Sequence, residues 1–249
     1  MLGWYLRLAP LVIATLLGAG CASLMPAPVP MESLSYRQTD RANKTLFVFL
    51  PGRDDGAERF AAEGFVDAVR ARKLPADMVA ADASIGYYGK RLLVPRLQED
   101  IIEPAKREGY RQIWLVGISI GATGALWYGR EHPDDLAGMV LLAPYLGAQA
   151  KSLEVAGGGG LHRWSLPPQH RGEFEWDLWE IATWYTDPER TTGRVYLGYG
   201  RQDEFAFANQ LLADVLPREQ VFVMDGGHDW KTWRTLWNRI LDEAGIPRQ

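Results

Sequence analysis

The chain has one cysteine, Cys21, so no disulfide can form within it. Histidine is scarce too: His132, His162, His170 and His228 are the whole field from which a general base could come. No cluster of basic residues is present. With 27 Lys and Arg against 31 Asp and Glu the formal charge is -4, and loss of residues 1–20, whose only charge is Arg7, would make it -5. Nucleic acid is therefore excluded as a partner, because phosphate binding needs a basic patch. No internal repeat is visible. The longest apolar run, Leu8 to Ala19, is shorter than the roughly 20 residues that span a bilayer, although an uncleaved anchor beginning at Leu2 stays open.

What is present at the start reads as an export signal over residues 1–20: Arg7, the apolar run, then small residues up to Cys21. LLGAGC resembles the lipobox of bacterial lipoproteins, with Gly18 departing from the aliphatic residue usual there. That resemblance implies cleavage before Cys21 and acylation of its thiol; the alternative is an incidental cysteine in an ordinary signal. Two or three acyl chains hold a protein on a bilayer stably where one does not. Ala22 in place of Asp implies the outer membrane, facing the periplasm, and without lipidation the product would be secreted or periplasmic. Residues 21–43 then read as a lipid-anchored tether, with Pro26, Pro28 and Pro30 favouring an extended chain.

From residue 44 to 249 short apolar runs alternate with longer amphipathic ones, the pattern of a mostly parallel sheet covered by helices. Six strands are expected: TLFVFL (45–50), DMVAADA (77–83), RQIWLVGIS (111–119), MVLLAPYL (139–146), RVYLGYG (194–200) and QVFVMDG (220–226). Helices are expected over residues 58–73, over 91–108 despite Pro95 and Pro104, from Ile120 to Pro133, and at the C-terminus. There Trp230, Trp233 and Trp237 share one helical face that packs on the sheet. Between 147 and 193 the alternation stops in a segment rich in Gly, Trp and Pro.

The chemistry concentrates at Gly117-Ile118-Ser119-Ile120-Gly121, which follows a buried strand and opens a small-residue helix. A serine on such a turn is a nucleophile elbow in context, and the flanking residues must be small for strand and helix to pass closely. A serine hydroxyl needs a neighbouring base that a third group orients. His132 ends the helix that begins at the elbow, three turns away, and His162 and His170 lie in the irregular segment. His228 follows the last strand in MDGGHDW, where a loop can carry it over the serine. The acid is expected to be Asp203 in GYGRQDEF, with Glu204 as the alternative, while Asp225 and Asp229 read as solvated loop carboxylates. Donors for an oxyanion are expected at the amides of Ile120 and Arg53, the latter in LPGRDDG, where Gly52 permits close approach. The side chains of Arg53, Asp54 and Asp55 read as a solvated turn and helix cap.

With Ser119, Asp203 and His228 in that order, the chain from about residue 44 to 246 resembles the α/β-hydrolase superfamily of esterases, lipases and related acyl hydrolases. The resemblance implies a three-layer α/β sandwich, its first strands missing or reduced to something near Leu34 to Gln38. It implies hydrolysis of a carboxylic ester, or of an amide or thioester, through an acyl-serine intermediate. The substrate would be a small-molecule or lipid ester, and no metal or organic cofactor is implied. Pro51 stands where many relatives have His. The same resemblance makes residues 147–193 a cap over the site, with Trp176 and Trp179, together with Tyr145 near the end of the fourth expected strand, as candidate substrate contacts. Trp176 and Trp179 at i, i+3 equally fit a core-facing helix. Two other function classes remain open: an acyltransferase using the same triad, and a non-catalytic envelope lipoprotein that keeps the fold for binding.

Overall fold

The computed structural model describes residues 24–38, 42–190 and 193–246; the export signal expected over residues 1–20 and Cys21 lie outside them. Seven strands form one sheet in the order β1-β3-β2-β4-β5-β6-β7. They are β1 (Ser33–Tyr36), β2 (Thr45–Leu50), β3 (Ala76–Ala81), β4 (Gln112–Ile118), β5 (Gly138–Leu142), β6 (Arg194–Gly200) and β7 (Val221–Met224). All neighbours run parallel except β1, which pairs antiparallel with β3 at one edge. The central strands β2 and β3 are buried at every position, as a sheet covered on both faces requires.

On one face lie α1 (Arg59–Ala62), α2 (Phe65–Ala71) and the C-terminal helix α10 (Trp230–Glu243). Phe47 and Phe49 of β2 meet Phe60, Phe65 and Trp237 there, with ring centroids 4.8 to 6.1 Å apart. Trp237 is fully buried, and its indole N–H donates to the carbonyl of Phe65 at 3.2 Å. The helix expected over 58–73 is broken at Gly64, whose φ of 81° is left-handed. Five residues apart on one straight helix, Phe60 and Phe65 would point to different faces; the break turns both rings into the core, 5.4 Å apart.

The chain continues through α3 (Ile85–Gly89), α4 (Leu93–Leu97) and α5 (Glu103–Glu108); α6 (Ile120–Glu131) packs on β4 and β5 with α4 against it, α7 (Gln149–Gly157) packs on α9 (Ala206–Ala213), and α8 (Phe174–Trp184) packs on α6. Of the helix expected over 91–108, residues 93–108 are continuous because a π turn at Gln98–Ile102 joins α4 to α5, while Arg91, at φ 57°, lies in the turn before it. Such a widened turn accommodates Pro104, which has no N–H to give the ladder and crowds the carbonyl four residues back. The segment 147–193 is largely helical, and α8 packs on α6, where the Tyr185 hydroxyl donates to the Leu126 carbonyl at 2.6 Å. Trp176 and Trp179 are 5% and 0% exposed, so the core-facing alternative describes them.

The Pro-rich stretch differs from the free spacer expected over 21–43. Its described part lies on the domain: Tyr87 donates its hydroxyl hydrogen to the Pro28 carbonyl at 2.5 Å, Met31 N donates to Asp100 at 2.7 Å, and Ser33–Tyr36 joins the sheet. Among the described residues no helix is long and apolar enough to cross a membrane.

Trp237→Ala should lower the free energy of unfolding by about 3–5 kcal/mol, the usual range for removing a buried tryptophan. Urea unfolding monitored by circular dichroism measures it.

Candidate active site

β4 ends at Ile118, and α6 begins at Ile120, so Ser119 alone makes the turn between them. Its backbone sits at φ 53°, ψ −118°, a conformation that costs an L-residue on the order of 1–3 kcal/mol. Bonds on both sides hold it there. Ser119 N donates to the Leu142 carbonyl at 2.9 Å, and the Ser119 carbonyl accepts from the amides of Ala122 and Tyr145 at 3.0 and 3.2 Å. The flanking glycines leave no room for a side chain: a Cβ on Gly117 would lie 2.3 Å from the Gly121 carbonyl oxygen, and one on Gly121 would lie 2.1 Å from that of Leu50.

Asp203 and His228 leave the sheet at the same edge, three residues beyond β6 and four beyond β7. His228 Nδ1 lies 2.8 Å from Asp203 Oδ2, and its Nε2 lies 3.0 Å from Ser119 Oγ. With the ring proton on Nδ1, the imidazole donates to the carboxylate and its Nε2 accepts from the serine hydroxyl. The Asp203 side chain is 0% exposed, and its other oxygen accepts from Phe205 N at 2.8 Å, which fixes the carboxylate plane. Phe205 and Trp233 clasp the imidazole edge-on, each ring centroid 4.9 Å from it.

Between the two carboxylates left open by sequence, geometry selects Asp203; Glu204 is exposed at the mouth of the cavity in front of Ser119. Asp225 forms an exposed pair with Arg201, whereas Asp229 caps α10, accepting from Thr232 N at 2.9 Å. That backbone bond holds the Asp229 carboxyl below its ordinary range. His132 packs against Tyr128, His170 bonds Glu173, and His162 is exposed.

The cavity has a volume of about 580 Å³ and holds Ser119, His228, Ile120, Arg53 and Tyr145 on its walls. Ile120 is the first residue of α6, where helix geometry leaves the amide without an intrahelical acceptor. The loop carrying Arg53 lies against the serine, since a Cβ on Gly52 would sit 3.8 Å from Ser119 Cβ. Trp176 and Trp179 do not line this cavity, so the expected substrate contacts reduce to Tyr145; the segment after β5 contributes Gly147, Ala148 and Gln149 instead. A larger groove between α6 and α8, about 750 Å³, contains none of the three residues of the chain Ser119, His228 and Asp203.

The chain matches a ferulic acid esterase with a TM-score of 0.59 at 17% identity, over 82% of this chain and 85% of that one. It matches the fluorophosphonate-binding serine hydrolase F of Staphylococcus aureus with a TM-score of 0.56 at 14% identity, over 85% and 96% of the two chains. A monoacylglycerol lipase from Paleococcus ferrophilus gives 0.54 at 15% identity, over 86% and 99%. The chain has the α/β-hydrolase fold. No protein-family model and no curated protein matches its sequence, so the likeness is carried by the fold alone. In this α/β-hydrolase sheet the antiparallel lead-in is reduced to β1.

Sequence reasoning missed the side chains that brace the site. The Thr123 hydroxyl donates to the Tyr145 carbonyl, and the Tyr145 hydroxyl donates to Glu175 of α8. Lys151 of α7 reaches the other oxygen of Glu175 at 3.1 Å. Burial pushes the Glu175 carboxyl up, but the bonds from Tyr145, Lys151 and the Ala148 amide outweigh it and hold the group below the ordinary range. Burial and the bond to Glu175 push the Tyr145 phenol up. Partners separated by up to 30 residues leave no local signal in the sequence. Among the described residues no group of three or more His, Cys, Asp or Glu is placed to hold a metal ion.

Gly121→Ala should destabilise the fold by about 1–3 kcal/mol or more, because the added methyl meets backbone rather than a movable side chain. Gly157→Ala is the control: nothing lies within 4 Å of its added methyl, so its melting temperature should stay level or rise. Differential scanning calorimetry of the two variants decides between these outcomes.

Proposed function

We propose that the protein is a serine hydrolase that cleaves a carboxylic ester through an acyl-Ser119 intermediate. The observation that carries this reading is the unbroken chain of contacts from Asp203 through His228 to Ser119, at 2.8 and 3.0 Å. As Ser119 Oγ bonds to the substrate carbonyl carbon, its proton passes to His228 Nε2, and Asp203 stabilises the imidazolium. The carbonyl oxygen takes the negative charge in front of the amides of Ile120 and Arg53. Collapse breaks the ester C–O bond, and the imidazolium returns its proton to the departing alkoxide. Water then attacks the acyl group with the same imidazole as base, and Ser119 Oγ recovers a proton as the acid leaves.

The cavity supports a compact substrate. Its volume of about 580 Å³ is in the middle of the range for ligand sites, its apolar wall is short, formed by Ile120, Tyr145, Phe205 and Ala208, and exposed Arg53, Asp54 and Glu204 surround the mouth. A short acyl group on a polar alcohol fits these walls better than a long-chain lipid. The esterase, lipase and serine hydrolase named above are consistent with ester chemistry on this fold. The proposal extends to location: acylation of Cys21 would hold the domain on the bacterial envelope, facing the periplasm.

A fluorophosphonate probe should label the wild type and neither Ser119→Ala nor His228→Ala; a silent wild type would overturn the reading. Asp203→Asn should lower kcat by about ten-thousand-fold through the wrong imidazole tautomer. Among p-nitrophenyl esters, kcat/KM should be highest for acetate to butyrate and fall steeply by palmitate.

A further inference from the structure

Two separate loops must be set against each other for His228 to meet Asp203 and Ser119 at once. One leaves β6 and carries Asp203, and the other leaves β7 and carries His228. The strand pairing extends one step beyond β6, with Arg201 N donating to the Met224 carbonyl at 2.8 Å, and then stops. What continues the link is one residue. Gln202 N donates to the Gly226 carbonyl at 3.0 Å, and the Gln202 side-chain oxygen accepts from Gly226 N at 2.6 Å. Both polar groups of Gly226, two residues before His228, are thus engaged by Gln202, which is next in the chain to Asp203.

The approach is built into the backbone. A Cβ on Gly200 would lie 2.1 Å from the Gly226 carbonyl oxygen, so only glycine at 200 lets the loops close to this distance. Gly226 itself sits at φ 154°, which favours glycine. Besides the Gln202–Gly226 and Asp203–His228 bonds, the side-chain ion pair between these loops among the described residues is Arg201–Asp225, with side chains 57% and 82% exposed. A pair that exposed is screened by water and fixes little.

We infer that Gln202 is a positioning residue, a clamp that holds the His228 loop in register with the Asp203 turn; this rests on the triad reading above. Gln202 is itself exposed, so water can replace its bond to Gly226 N and the fold survives its loss. What is lost is the confinement of a loop that contains two consecutive glycines, 226 and 227, ahead of the imidazole. Wider excursions of His228 slow proton transfer without touching the substrate's binding contacts.

The test uses the full chain with p-nitrophenyl butyrate and the fluorophosphonate probe. Gln202→Met keeps the side-chain length but has no acceptor oxygen; it should lower kcat and the labelling rate by about 10- to 100-fold, the scale of an ångström's misplacement, with KM within about twofold. Gln202→Glu keeps an acceptor for Gly226 N and should restore kcat to within about threefold of wild type. The melting temperature of both should stay within about 3 °C of wild type. Wild-type kcat in Gln202→Met, or a Gln202→Glu as slow as Gln202→Met, overturns the clamp while leaving the triad reading intact. A fall in activity that tracks a fall in melting temperature also overturns it. A wild type that neither hydrolyses nor labels, against a folded control, overturns the triad reading and the clamp with it.

Discussion

Everything in the site is referred to one backbone conformation, the left-handed turn at Ser119. A serine there is strained, and the strain persists because the surroundings over-determine it: a strand behind, a helix ahead, and carbonyl and amide partners from β5 and the segment after it. The glycines at 117 and 121 are the other half of the same constraint, since backbone occupies the space where their side chains would be. Fixing the elbow fixes the edge of the sheet at which chemistry can occur. Parallel strands all end at that edge, so β6 and β7 deliver their loops to the same side as β4 without further design.

Around that edge the polar groups are graded by burial. The Asp203 carboxylate is sealed off and doubly bonded, Ser119 is 9% exposed, and the imidazole between them retains 19% exposure of its side chain. A sealed carboxylate bonded through both oxygens cannot rotate away, so it holds one orientation of the ring. In the proposed reaction the partly open ring would exchange protons with groups that enter the cavity. Burial and openness are therefore divided between two residues according to what each has to do.

Six of the seven strands were legible because each is an apolar run bounded by turn residues, and a buried parallel strand has no other way to be written. Ser119, Asp203 and His228 were legible for the same reason: each follows directly on such a run. The failures have a common physical form. The break at Gly64 depends on where two phenylalanines must point, and the path of residues 24–38 depends on bonds to Tyr87 and Asp100 far along the chain. Neither leaves a local signature. Trp176 and Trp179 were ambiguous in principle, since helical spacing says that two indoles share a face but not what that face meets.

The segment between β5 and β6 has a part in the site even though its tryptophans do not reach it. Glu175 on α8 binds Tyr145 of the cavity wall through one oxygen and Lys151 of α7 through the other. Lys151 also lies over the Trp176 ring, 5.0 Å from its centroid, so the buried aromatic serves as a floor for the cation that completes the ion pair. A half-buried carboxylate left alone would be pushed toward its neutral form, yet Glu175 is held ionised by these partners. The charge is held by α7 and the Tyr145 segment together, and removal of either would leave one Glu175 oxygen without that partner. These contacts tie the wall beside Ser119 to α7 and α8, so in the proposed reaction it would limit substrates by shape where a flap of aromatic residues would have limited them by closure.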